Sequence, residues 1–247
     1  LRAAGIDAPE NLARCNADMP AVPGGLRDGE GNVIAPDPAT LRQDELDLPT
    51  LWRHPGLLLA QTCWGPMERG LSGHVQLVGQ PDYSAFEGGQ GEFYSSVILM
   101  RAGNVPESAV PPADGRAVVP VEVFEGRRLA YNGEDSMSGV IALTRDLAAI
   151  GSDLSLFAER VETGGHRASI VTVAQGLADL CAIDCRSWAL AQRFEPAARL
   201  LQPVGWTGRR KGLPFITSLN TPAPVVAGLR SLLAPAGQEA VSLSSSL

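Results

Sequence analysis

Tyr131-Asn132-Gly133-Glu134-Asp135-Ser136-Met137-Ser138-Gly139, running into Val140-Ile141-Ala142-Leu143, is the stretch whose reading decides the fold. Arg128-Leu129-Ala130-Tyr131-Asn132 reads as a short strand, and Val140, Leu143, Leu147 and Ile150 then recur at helical spacing. The hydroxyls of Ser136 and Ser138 therefore fall at a strand-to-helix junction. The first turn of a helix leaves backbone N–H groups unpaired and carries the positive end of the helix dipole. With Gly139 letting a ligand approach the main chain, the junction has the make-up of a small-anion seat. An isolated S-x-S-G is equally a plain helix cap, because serine is a preferred N-cap residue.

The same order of strand, polar tip and helix recurs on both sides of this stretch. Leu57-Leu58-Leu59-Ala60-Gln61 is an apolar run ending in Thr62-Cys63-Trp64-Gly65-Pro66, a polar turn that opens a helix. His74 to Gly79 alternates like a strand, Pro81 to Gly91 is a glycine-rich loop, and Phe93 to Met100 is a further strand. Downstream, Arg160-Val161-Glu162-Thr163 leads through Gly164-Gly165-His166 into a helix with Ile170, Val173, Ala174 and Leu177 on its apolar face. Leu180 to Ile183 is the next strand, with Asp184 at its end and a helix from Arg186 to Gln192. Alternation of this kind predicts an α/β fold with mixed, mostly parallel sheets flanked by helices. Ligands of such sheets gather at the carboxyl ends of strands, which is where Ser136, Ser138, His166 and Asp184 all fall.

Toward the amino end, residues 10 to 37 are rich in Pro, Gly, Asp and Asn and read as a long loop. Asp37-Pro38 then predicts a short helix through about Leu46, with Asp37 as cap and Pro38 in its first turn. Leu1 to Gly5 reads as the last turn of a helix, with residues expected before it. Asn104 to Gly115 has linker composition and predicts a lobe boundary. Beyond Pro203, the segments 204–207 and 213–217 look extended, Thr221-Pro222 begins a last helix, and the tail Ser242 to Ser246 is expected to fray.

Composition limits the functions open to the chain. Its 247 residues are 45% hydrophobic and 19% charged, an ordinary globular balance. The net charge is −7 and no basic cluster exceeds Arg209-Arg210-Lys211, which argues against nucleic acid or an anionic membrane as partner. No apolar run is long enough to cross a bilayer as a helix. Cys15, Cys63, Cys181 and Cys185 form no C-x-x-C pair, and His54, His74 and His166 lie far apart, so neither metal nor cofactor is expected.

Taken together, S-M-S-G at 136–139, T-G-G-H-x-A-S at 163–169 and G-x-A-D-L-x-A-I-D at 176–184 resemble the phosphate, phosphite and phosphonate substrate-binding proteins of ABC importers. Gln61-Thr62-Cys63 and G-L-P-F-I-T-S at 212–218 are similar to that family as well. The resemblance implies a two-lobed periplasmic-binding-protein fold, with residues 1–112 and 206–247 in lobe I and 113–205 in lobe II. It also implies that a strand, and a turn carrying an aromatic ligand contact, precede residue 1. Met137 stands where the family more often has Asn or Thr, which removes a polar contact and leaves both flanking serines.

On this resemblance, the ligand is a small phosphorus oxyanion held between the lobes by the Ser136 and Ser138 hydroxyls and the N–H groups of about residues 138 to 140, Gly139 among them. His166 matches the family's ligand-contacting histidine, and Gln61, Thr62 and Tyr94 are further contacts by position. Asp184 would repel a fully ionised phosphate, so it implies a protonated oxygen or an amine on the ligand, and it can also cap the helix that follows. The implied partner is a membrane permease, the implied location periplasmic, and the implied state a monomer without catalytic activity. Two rivals remain: an enzyme built on the same binding fold, and a hydrolase with Ser138, His166 and Asp184 as nucleophile, base and orienter. The second lacks the G-x-S-x-G elbow that usually holds such a serine.

Overall fold

The computed structural model describes residues 1–103 and 108–234. Among these residues, contacts define two compact units, one of Leu1–Thr62, Pro66–Pro81 and the described residues from Leu213 on, the other of Cys63–Gly65 and the described residues of Asp82–Gly212.

The second unit is built on Ser96–Arg101. Val97, Ile98, Leu99 and Met100 are fully buried, as a continuous apolar run demands when a strand is covered on both faces. This strand pairs antiparallel with Leu180–Asp184 on one side and Leu201–Trp206 on the other. Leu180–Asp184 pairs parallel with Arg128–Tyr131, which pairs parallel with Glu159–Glu162 at the edge of the five-stranded sheet. Helices Ala142–Ala149 and His166–Ala174 lie in the two connections among the parallel strands. Leu143 and Leu147, one helical turn apart, pack with Ile98, Met100, Phe124, Leu129 and Leu180 in one core.

Among the described residues, parallel pairing is thus confined to three strands. In the first unit Phe215–Ser218 is inserted antiparallel between Ala60–Gln61 and Val75–Gly79, so that sheet has no parallel pair. The expectation of mostly parallel sheets is corrected accordingly: the α/β class holds, with mixed strand orientation. Helix Ala223–Leu233 places Val226 and Leu229 in a core with Ile6 and Val78.

Two further expectations change. The residues 82–112 and 206–212, assigned to lobe I from sequence, cluster with the second unit. The reason is the central strand itself, together with Trp206, which is fully buried and donates its indole N–H to the Ala109 carbonyl. Near the amino end, Asp37 caps only the short turn Pro38–Thr40, accepting the Ala39 N–H at 3.0 Å. The helix proper is Leu48–Arg53, where Asp47 accepts the Thr50 N–H at 2.8 Å. An Asp cap with Pro in the following turn occurs twice, as Asp37-Pro38 and as Asp47-Leu48-Pro49, and the second occurrence leads into the longer element. The stretch 10–37 carries a small hairpin of Leu26–Arg27 and Val33–Ala35. The expected fraying at Ser242 to Ser246 lies outside the described residues.

Because Leu143 is fully buried in the second unit's core, Leu143→Ala should cost about 2–5 kcal/mol. Urea unfolding measures it, and a loss below about 1 kcal/mol would mean that this helix is not held by that contact.

Candidate functional site

Asp184 ends its strand opposite Ser96, and the parallel strands beside it end at Tyr131 and Glu162. Three polar tips therefore issue from the same end of the sheet: Asn132 to Gly139, Thr163 to His166, and Asp184 itself.

At the first tip, Ser136 leaves the strand direction with extended backbone and caps the helix, its Oγ accepting the Gly139 N–H at 3.0 Å. The Val140 and Ile141 N–H groups both donate to the Ser136 carbonyl, so Met137–Ile141 is a wide π-type turn before the α-helix starts at Ala142. Wide turns of this kind are frequent at functional sites. The N–H groups expected to receive an anion are therefore largely engaged: Gly139 and Val140 donate within the turn, and Met137 N–H donates to Cys63 Sγ at 3.2 Å. Gly139 itself is explained by packing, since a Cβ there would lie 1.8 Å from Asn132 Oδ1. The Ser136 hydroxyl proton stays available to donate.

The second tip is braced by its own motif. Thr163 Oγ1 bonds the Tyr131 carbonyl at 3.0 Å and the Ser169 hydroxyl at 2.7 Å, which ties the Gly164-Gly165 loop to the neighbouring strand. His166 then begins its helix with only 17% of its side chain exposed. Its Nε2 lies 2.9 Å from Ser138 Oγ and 3.3 Å from Asp184 Oδ2. Asp184 is the helix cap, its Oδ1 accepting the Ser187 N–H at 2.8 Å at the start of Cys185–Phe194, while its Oδ2 faces His166.

Tyr94 joins this cluster from the strand Phe93–Tyr94. It is 2% exposed and stacks on Tyr83 with ring centroids 5.4 Å apart. Burial pushes its phenol well above the ordinary value, and the fields of Cys63 and Asp184 add to the rise. Ser138 lies close enough to pull the phenol back slightly, although no hydrogen bond of ordinary geometry joins them. Burial likewise lowers the pKa of His166, with Asp184 opposing. Burial raises the Cys63 thiol against the pull of the Gly65, Met137 and Ser138 N–H groups.

Six buried polar atoms of this unit lack a partner among the described residues: Tyr94 Oη, Ser96 Oγ, Asn132 Oδ1 and His166 Nδ1, and also Trp188 Nε1 and Arg209 Nε. Native interiors pair nearly all such atoms, and the first four, beside the three tips, make this cluster the candidate site. Ser96, Asn132 and Cys63 were not among the residues expected from sequence. Asn132 was detectable as the polar residue directly after a strand; Ser96 and Cys63 become visible only through register and tertiary contact.

Gln61 and Thr62 belong to the first unit and are described there. Gln61 Nε2 donates to the Leu213 carbonyl at 3.1 Å, Thr62 N–H donates to the Pro214 carbonyl at 3.0 Å, and Thr62 Oγ1 is buried without a partner. Trp64 donates its indole N–H to the Gly212 carbonyl at 2.7 Å, a packing role.

The sequence profile described as ABC transporter, phosphonate, periplasmic substrate-binding protein matches residues 72–243. The chain belongs to this family of phosphonate substrate-binding proteins. Comparison with curated proteins finds no match by sequence. Among solved structures, the phosphonate-binding family is represented by PhnD1 from Prochlorococcus marinus in complex with methylphosphonate, at 17% identity and TM-score 0.56, covering 73% of this chain and 65% of that one. A binding protein component of an ABC phosphonate transporter from Pseudomonas aeruginosa aligns at 14% identity and TM-score 0.54, covering 70% of this chain and 54% of that one. A Xanthomonas citri protein bound to chloride ion aligns at 16% identity and TM-score 0.50, covering 71% of this chain and 62% of that one. At these identities the likeness establishes the periplasmic-binding-protein fold alone, and the chain spans less than two thirds of each of these structures.

A histidine held neutral by burial costs stability when the unfolded chain can take up a proton that the folded one refuses. Burial holds the pKa of His166 below the ordinary histidine value, about 6.5 in an unfolded chain, so its contribution is complete above that pH and is lost as pH falls below it. His166→Asn should therefore flatten the acid side of the ligand-free melting-temperature profile between about pH 7 and 5; parallel wild-type and variant profiles would show that the imidazole titrates as it does in the unfolded chain.

Proposed function

We propose that this protein is the extracytoplasmic solute-binding component of an ABC importer, and that it captures a small phosphorus oxyanion at the Ser138, His166 and Asp184 cluster. The two compact units serve as the two lobes of the binding fold in this reading. The observation that carries the proposal is the meeting of Ser138 Oγ, His166 Nε2 and Asp184 Oδ2 within 3.3 Å, next to buried unpartnered polar atoms. Serine, histidine and tyrosine offer donors to the oxygens of the ligand, and the methylphosphonate complex of PhnD1 is consistent with that chemistry. Asp184 sets the charge state. A buried carboxylate repels a dianion, so the site favours a monoanion with a proton on oxygen, or an aminoalkyl substituent. Phosphonate, phosphite and phosphate all satisfy the first condition in their protonated forms.

Hydrolysis by a catalytic triad fits the geometry poorly. A triad needs the serine and the carboxylate on different ring nitrogens, so that one nitrogen accepts a proton while the other is held. Here Ser138 and Asp184 share Nε2, and Nδ1 has no partner among the described residues. The arrangement binds without transferring a proton along a chain. A membrane permease is the partner implied by this role, with the binding protein acting as a monomer.

Thermal unfolding with phosphate, phosphite, methylphosphonate and aminoethylphosphonate tests the proposal. At about 100 times the dissociation constant, a bound ligand should stabilise the wild type by roughly 2.7 kcal/mol. Ser138→Ala should weaken this shift, and His166→Ala should weaken it more at low pH. Equal shifts in wild type and both variants would remove these residues from the site, and turnover of an activated ester that disappears in Ser138→Ala would revive the hydrolase.

A further inference from the structure

The first unit holds a cavity of about 560 Å³ whose lining includes no residue of the Ser138, His166 and Asp184 cluster. It is lined by the hairpin of Leu26–Arg27 and Val33–Ala35, by Arg53 and Pro55, and by the turn after the strand Phe215–Ser218. Its size falls within the roughly 300–1,000 Å³ of small-molecule sites. The hairpin and Arg53 precede residues 72–243, so the family match does not account for this space.

Charges of both signs line the cavity without pairing. Arg27, Arg53, Asp28 and Glu30 all contribute to it, yet among the described residues none of the four forms an ion pair. One unpaired charge on a surface means little, because exposed ion pairs contribute little. Four around one concavity, two of each sign, provide for an anionic and a cationic group together. A bare anion or a bare cation would satisfy only half of them.

These groups are also set in place. Arg27 donates to the Gly31 carbonyl at 2.6 Å and the Gly24 carbonyl at 3.3 Å, and Arg53 donates to the Pro49 carbonyl at 3.2 Å. Each guanidinium keeps further N–H groups for a carboxylate, since it carries five. Asp28 Oδ1 accepts the N–H groups of Glu30 and Asn32, both at 2.9 Å. Asn32 Nδ2 donates to Asp28 Oδ2 at 3.1 Å and to Glu30 Oε2 at 3.4 Å, which leaves Glu30 Oε1 for a cation. At the far wall, Gln76 Nε2 donates to the carbonyls of Ser218, Leu219 and Thr221 and fixes that turn. Groups already oriented lose little freedom when a ligand arrives. Val22, Ile34 and Leu219 add apolar surface beside them.

We infer that the first unit carries a second binding site, for a zwitterionic α-amino acid with an apolar side chain. The ligand's carboxylate meets Arg27 and Arg53, its ammonium meets Glu30 and Asp28, and its side chain lies on Val22, Ile34 and Leu219. The site goes beyond the oxyanion role and does not depend on it.

Calorimetric titration of the whole chain with leucine, valine and phenylalanine tests the inference, together with the N-acetyl and amide derivatives of each, which lack one of the two charges. At least one of the three amino acids should bind, and both of its derivatives should bind about tenfold or more weakly. Arg53→Gln and Glu30→Gln should each weaken that amino acid to a similar degree. The N-acetyl derivative should be indifferent to Glu30→Gln, and the amide to Arg53→Gln. Stabilisation by phosphorus oxyanions should be the same in both variants as in the wild type, so the two sites stand or fall separately. Absence of binding by all three amino acids overturns the inference, and so does an affinity that is unchanged in both variants or shared by both derivatives.

Discussion

The pairing of one apolar strand on both of its edges governs the second unit. Ser96–Arg101 is buried on both faces through Met100 and has neighbours on both sides, so the side chains of its first five residues are committed to the interior. Its register with Leu180–Asp184 fixes Asp184 beside Ser96, and the parallel strands that follow bring the tips bearing Ser138 and His166 to the same end. A slip of one residue would turn every side chain of Leu180–Asp184 to the opposite face. The buried polar cluster is therefore a product of sheet register before it is a product of any loop.

Much of this was legible beforehand, for local reasons. The strands at Arg128–Tyr131 and Leu180–Asp184 are short apolar runs, the helix at His166–Ala174 follows a glycine pair, and each polar tip is the residue type that terminates such an element. The convergence of Ser138, His166 and Asp184 followed from the rule that parallel strands present their carboxyl ends together. Strand direction was not legible. An apolar run such as Val97 to Met100 looks the same whether its neighbours run with it or against it, and only the tertiary connection decides. The same limit moved the unit boundary, because the linker composition after Asn104 marks a loop without saying which sheet its flanking strand joins.

The site shows a comparable division. Residue types at the tips could be read, but their engagement could not. Ser136 and Gly139 form a cap with each other, Met137 N–H is taken by a cysteine distant in sequence, and Thr163 with Ser169 acts as a brace for the histidine loop. Each is a contact whose partner is chosen by the fold. Asp184 is the exception whose capping role could be read from sequence, while the contact of its other oxygen with His166 is set by the fold.

The depth at which Tyr94 is buried has a consequence for how the cluster keeps its hydrogens. With its ionised form disfavoured by the surrounding protein and by the carboxylate nearby, the phenol remains protonated throughout the neutral range and is a constant donor. The imidazole beside Ser138 is the changeable one, gaining a second hydrogen only under acid conditions. One side of the cluster is thus chemically fixed and the other adjustable, so acidity alters the number of hydrogens it can offer while the aromatic wall stays the same.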